Sequence, residues 1–150
     1  MRAVIQRVER AQVTIDDFVV CKTGRGLAVL LGVGSDDTSD DVEYLKKKLL
    51  QLRIFPDREG KMNLSIGEVE GEILLVSQFT LYGDCRKGAR PSFSRSAPAP
   101  MAQTLYQELI DSLIVEGVAV QSGRFQAMMR VSLVNDGPVT LILDSKKQFY

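Results

Sequence analysis

Residues 27–33 read LAVLLGV, seven positions in which apolar side chains fall on both faces of an extended chain. Such a run is expected as a central strand, buried above and below. A second run, Leu74-Leu75-Val76-Ser77-Gln78-Phe79-Thr80-Leu81, starts the same way and ends in small polar groups before the turn signal Tyr82-Gly83-Asp84. A buried strand that ends so brings hydroxyls, an amide and free backbone N–H groups to the mouth of a site.

The remaining pattern is of the same kind. Residues 3–8 (AVIQRV) predict a first strand, and 12–15 with 18–22 predict a hairpin about Asp16-Asp17. Gly32 and Gly34 lack phosphate-loop or dinucleotide spacing and point to a bend or close packing. Thr38-Ser39-Asp40-Asp41 carries a capping-box pattern, followed by Val42, Leu45, Leu49 and Leu52 on one helical face, with Lys46, Lys47 and Lys48 on a solvated face. A short strand is expected at 53–55, a turn at 56–60, a loop at 66–71 and a strand at 73–76. Early prolines at Pro98 and Pro100 open a second helix with Ala102, Leu105, Leu109 and Leu113 inward, and Gly117 ends it. Further strands are expected at 118–121, 127–134 and 139–143, with a turn at 123–125 and a polar tail from 144 to 150.

About eight strands and two helices define an α+β fold: one domain over residues 1–150, a strongly curved, barrel-like sheet with two main helices outside it. The 45% hydrophobic content is enough for a proper core at this length. Nineteen bases against nineteen acids leave no net charge, so any grip on nucleic acid must come from local clustering. The best local cluster is 84–95, where Arg86, Lys87, Arg90 and Arg95 face one acid, Asp84, with Phe93 available for stacking. No signal-peptide region or membrane-length apolar run is seen. The two cysteines lack metal spacing, so a cytoplasmic, reducing location is expected, without membrane association.

The chain contains no histidine. Ser-His and Cys-His catalysis are therefore closed to it within one polypeptide, as are most zinc sites. Ser77 and Thr80 are hydroxyls without an evident base, and no lysine is spaced to serve as one. Backbone N–H groups at Phe79 and Thr80 can instead form an oxyanion hole, with Gln78 adding an amide and Phe79 packed inward. The second motif, Val134-Asn135-Asp136-Gly137-Pro138-Val139-Thr140, reads on residues alone as a hairpin turn between two strands. It can also aim carbonyl oxygens in parallel, with no side chain between them, and so act as a chirality filter made of backbone.

SQFTL and NDGPVT together resemble the signature pair of the D-aminoacyl-tRNA deacylases of the bacterial and eukaryotic type. The resemblance extends to 3–8, 27–32, Arg53-Ile54-Phe55 through Gly60-Lys61-Met62-Asn63, Arg90-Pro91-Ser92-Phe93 and Gly123-Arg124-Phe125. It implies a barrel-like homodimer with its sites at the subunit interface and without a metal or cofactor. It also implies that Gly137 and Pro138, as a Gly-cisPro pair, reach into the partner's site and exclude L-aminoacyl groups, braced by Arg7. Ser77, Gln78, Phe79 and Thr80 then line the pocket around the scissile ester, with Thr80 as nucleophile or, in the absence of histidine, with water activated by the ribose 2′-hydroxyl. Arg86, Lys87 and Arg90 are the expected tRNA contacts. Glycyl-tRNA, which no chirality filter can refuse, is expected as a further substrate. The competing reading is a non-catalytic RNA-binding module that grips through the 84–95 loop.

Overall fold

A computed structural model describes residues 1–149. Its longest elements are the strands near its two ends, β1 (Arg2–Ile15) and β8 (Arg130–Asp144), which run antiparallel against each other. The expected strand at 3–8 and the first arm of the expected hairpin are one continuous element. They join because a bulge at Glu9 keeps the strand going: Val8 faces Asn135 and Arg10 faces Val134, leaving Glu9 as an extra residue. A bulge of one residue exchanges the two faces of a strand. Ala3 and Ile5 accordingly lie in the core beneath the helices, whereas Val8, Ala11, Val13 and Ile15 lie in a second core.

The other edge of β1 carries two partners. Its second half forms the expected hairpin with β2 (Phe18–Thr23), turned by Asp16 and Asp17, both with positive φ (46° and 67°). Its first half pairs with β3 (Gly26–Gly32), which continues in parallel to β6 (Glu72–Ser77) and β7 (Ala119–Ser122). The sheet curls until β2 lies against β6 and β7, which nearly closes the barrel. The doubly apolar runs are then accounted for. Leu27, Val29, Leu31, Ile73 and Leu75 face the helices, while Ala28, Leu74 and Val76 face the barrel interior.

Helices α1 (Ser39–Gln51) and α2 (Ala99–Val115) pack on each other and cover the first core. The capping box is present: the Asp41 carboxylate accepts the Thr38 backbone N–H at 2.8 Å. Lys47 and Lys48 are exposed, and Lys46 pairs with Glu43 at 2.7 Å, so that run is a solvated face. Gly117, at φ +84°, ends α2 in the left-handed conformation glycine tolerates.

Two expectations need correction. The short strand lies at Phe55–Pro56 (β4) and pairs with Met62–Leu64 (β5) across the predicted turn. The segments 127–134 and 139–143 are not two strands joined by a hairpin. Both pair with β1 on the same edge and form the single strand β8. Of the expected polar tail, Tyr150 lies outside the described residues. Among the described residues no helix is long and apolar enough to cross a membrane.

Candidate active site

Ser77 is the last residue of β6, opposite Leu31 of β3. The Gln78 N–H still bonds to Leu31 O at 2.7 Å, and then the chain turns into a 3₁₀ helix at Phe79–Tyr82. Within it Leu81 N–H donates to Gln78 O (3.2 Å) and Gly83 N–H to Thr80 O (2.9 Å). Phe79 and Thr80 begin the turn, where backbone donors have no acceptor inside the helix. Both residues are exposed. The Phe79 side chain does not pack inward. It is 55% exposed and meets the Phe93 ring edge-to-face, centroids 5.0 Å apart. Reversal of the chain turns Tyr82 into the core instead, at 4% exposure. Thr80 Oγ1 accepts a hydrogen bond from Gln78 Nε2, and an amide donor cannot take the hydroxyl's proton.

Gly137 and Pro138 occupy a bulge in the middle of β8. Gln6 faces Thr140 and Val8 faces Asn135, so residues 136–139 all stand opposite Arg7 alone. The Gly137–Pro138 peptide is cis, and Gly137 sits at φ +125°, a region closed to residues with a side chain. A Cβ there would come within 2.8 Å of Val139 Cγ2 and 2.9 Å of Arg7 Nη2. Arg7 is buried. Its Nε meets Asp136 O at 3.2 Å and the Asp136 carboxylate at 3.0 Å, and its Nη1 donates to Ile54 O at 2.6 Å.

Sequence reasoning missed Asn135. Its Oδ1 accepts the Val139 N–H at 2.9 Å, and its Nδ2 donates to Thr140 Oγ1 (3.1 Å) and Val139 O (3.3 Å). The side chain thus supplies the ladder bonds that the bulge breaks. Its place inside the NDGPVT motif was the available signal.

The family described as D-Tyr-tRNA(Tyr) deacylase matches residues 4–144, a span that holds both motifs. This chain belongs to that family. A relative named D-aminoacyl-tRNA deacylase from Thermosipho africanus is 58% identical over 99% of this chain and 100% of its own length. One of the same name from Syntrophobacter fumaroxidans is 56% identical over the same shares. Among solved structures, one titled c-Myc DNA Unwinding Element Binding Protein superposes with a TM-score of 0.90 at 39% identity, covering 96% of this chain and 98% of that one. Another, titled as a probable eukaryotic D-amino acid tRNA deacylase, has a TM-score of 0.80 at 23% identity over 95% and 97%, and speaks for the fold. Membership in the deacylase family makes the chain an enzyme, a hydrolase.

In this deacylase-family chain the basic segment is more ordered in its pairing than its composition suggested. Asp84 and Ser92 form a two-residue antiparallel bridge. Arg86 folds back on Asp84, with contacts of 2.6–3.1 Å, and this holds the Asp84 carboxyl well below the usual carboxylate range. Arg86 thus forms a surface ion pair and stays exposed, as do Lys87 and Arg90. Among the described residues no three His, Cys, Asp or Glu side chains converge as a metal site.

Proposed function

We propose that this enzyme hydrolyses the ester of D-aminoacyl-tRNA, acting in the cytoplasm as a homodimer that releases the free D-amino acid and tRNA. The observation that carries the reading is the exposed 3₁₀ turn that follows Ser77 and Gln78 at the end of β6, in whose first residues, Phe79 and Thr80, backbone N–H groups have no acceptor within the turn. Two such donors aimed at the developing oxyanion stabilise the tetrahedral intermediate, and one donor of this kind is worth about 3 kcal/mol of barrier. The Thr80 hydroxyl is met by the Gln78 amide rather than by a base, which favours water over Thr80 as the nucleophile. The 2′-hydroxyl of the terminal ribose helps activate that water. An aminoacyl ester is labile enough for positioning and oxyanion stabilisation to suffice.

The sheet register supports a site shared between two copies. The Gly137–Pro138 bulge stands level with Arg7, Leu27 and Ile73, while Ser77 ends β6 four residues further on. That is about 13 Å along the strands, and β8 is also removed from β6 by β1 and β3, about 14 Å across the sheet. Within one protomer the two motifs thus stand about 20 Å apart along the sheet. A second copy can bring its Gly137 and Pro138 to the first copy's turn, where they leave no room for an L-side chain. Lys87 and Arg90, with Phe93, would contact the RNA end. Glycyl-tRNA would also be cleaved.

Hydrolysis of D-tyrosyl-tRNA and L-tyrosyl-tRNA, measured in parallel with EDTA present, tests this. Loss of the D-ester alone, with selectivity eroded in Pro138→Ala, is expected. Survival of both esters while tRNA still binds would overturn it in favour of a non-catalytic RNA-binding module.

A further inference from the structure

Behind the exposed front of the Phe79–Tyr82 turn lies a buried polar cluster that the chemistry above does not use. Tyr82 donates its hydroxyl to Asp37 Oδ2 at 3.2 Å. Burial, then the Asp37 charge, pushes the Tyr82 hydroxyl well above its ordinary range, so it stays protonated as a donor. Asp37 is itself buried and saturated: Oδ2 also accepts the Gly34 N–H at 2.6 Å, and Oδ1 accepts the Met1 ammonium at 2.6 Å. Arg2 donates from Nη1 to Leu81 O at 3.1 Å and lays its guanidinium 4.5 Å from the Tyr82 ring centroid. Gly34 and Gly32 let the turn press close, since a Cβ on Gly34 would come within 2.7 Å of the Tyr82 oxygen and one on Gly32 within 3.0 Å of Leu81 Cβ.

The contacts that reach the turn fall mainly on Leu81 and Tyr82, its C-terminal end, while its start is tied to β3 by the Gln78 N–H on Leu31 O at 2.7 Å. A four-residue 3₁₀ turn has few internal bonds and little stiffness of its own, so its direction is set by its two anchors, the strand end at Gln78 and the buried cluster at Leu81 and Tyr82. We propose that Tyr82, Asp37 and Arg2 are positioning residues, a latch that fixes where the Phe79 and Thr80 N–H groups point. The proposal rests on the reading of those N–H groups as oxyanion donors. It explains why a carboxylate and two cations are buried or half-buried behind a site that none of them reaches. A misplacement of about 1 Å at reacting atoms can cost ~10²-fold in rate, so partial loosening should show mainly in turnover.

Tyr82→Phe removes one O–H while keeping the ring and its stack with Arg2. The matched control is Tyr106→Phe, which deletes another buried phenol, one that donates to Leu75 O at 2.8 Å in mid-strand. For Tyr82→Phe, kcat on D-aminoacyl-tRNA should fall roughly tenfold with KM unchanged, and exchange of the Leu81 and Gly83 amides should rise roughly tenfold. Tyr106→Phe should lower Tm comparably and leave both readouts at the wild-type level. Arg2→Lys, which keeps the charge and loses the planar stack, should fall between. An active Tyr82→Phe enzyme with unchanged kcat and exchange overturns the latch alone. A wild type that leaves D-aminoacyl-tRNA intact overturns the deacylase reading, and the latch with it.

Discussion

The turn at Phe79–Tyr82 and the bulge at Gly137–Pro138 hold their shapes by different means. The turn is fixed from behind by residues distant in sequence, Arg2, Gly34 and Asp37, through contacts on Leu81 and Tyr82. The bulge is fixed mainly from within its own motif, by Asn135 closing on Val139 and Thr140, with Arg7 reaching across from β1. A remote change in the buried cluster can therefore disturb the turn without touching it. The bulge should respond chiefly to changes in itself and in the one arginine beneath it.

Substitutions ranked by their expected loss of D-ester turnover put that contrast to the test. Gly137→Ala should act most strongly, because its new Cβ meets Val139 and the Arg7 guanidinium and its φ is forbidden to alanine. A stability loss of roughly 1–3 kcal/mol is expected, with D-tyrosyl-tRNA turnover down about a hundredfold. Wild-type turnover in this variant would break the claim that the bulge shapes the site. Arg7→Ala comes next. It leaves Ile54 O and the Asp136 carboxylate without their donor, at about 2–3 kcal/mol in urea unfolding and about tenfold in turnover. Asn135→Ala should cost about 1–2 kcal/mol and only a few-fold in rate, with faster exchange confined to the Val139 amide. Faster exchange at Leu81 as well would show that the two regions are coupled.

The smallest effect on neutral turnover is expected from Asp41→Asn, and its signature lies in acid. Asp41 closes the charge cluster behind the turn, 2.9 Å from Lys146 Nζ and 3.9 Å from the Met1 ammonium. Burial alone would raise its carboxyl pKa, but hydrogen bonds from Ser145, Lys146 and the Thr38 N–H outweigh burial and bring it to about 2. An unfolded Asp titrates near 3.9, so the folded value is depressed. The resulting stability is present in full above about pH 4 and drains away as pH falls toward about 2. Tm of the wild type should decline across that window and the Asp41→Asn curve should be flatter. In the wild type, the Leu81 and Gly83 amides should loosen before the Val139 amide does.

What the sequence disclosed was whatever local pattern determines. Apolar alternation and two-faced runs located β3 and β6, Asp16-Asp17 marked its hairpin, and Thr38 with Asp41 marked the start of α1. The bulge was read on its residues as a hairpin because Gly-Pro between two apolar runs looks the same in both cases. Only the common partner strand, β1, makes the two runs collinear. Phe79 was expected inward because an aromatic after a buried strand usually continues into the core. The glycines at 32 and 34 let the turn lie so close that Tyr82 takes that place. The surface pair of Arg86 with Asp84, two residues away, is not a pattern that composition alone discloses.

The donors proposed at Phe79 and Thr80 belong to the main chain, so no codon specifies them. Every residue but proline at those positions keeps its N–H, and point mutation is nearly powerless to delete either group. Under the proposed latch, the heritable information about those donors sits elsewhere, in Gly32, Gly34 and Tyr82, which press against the turn from behind.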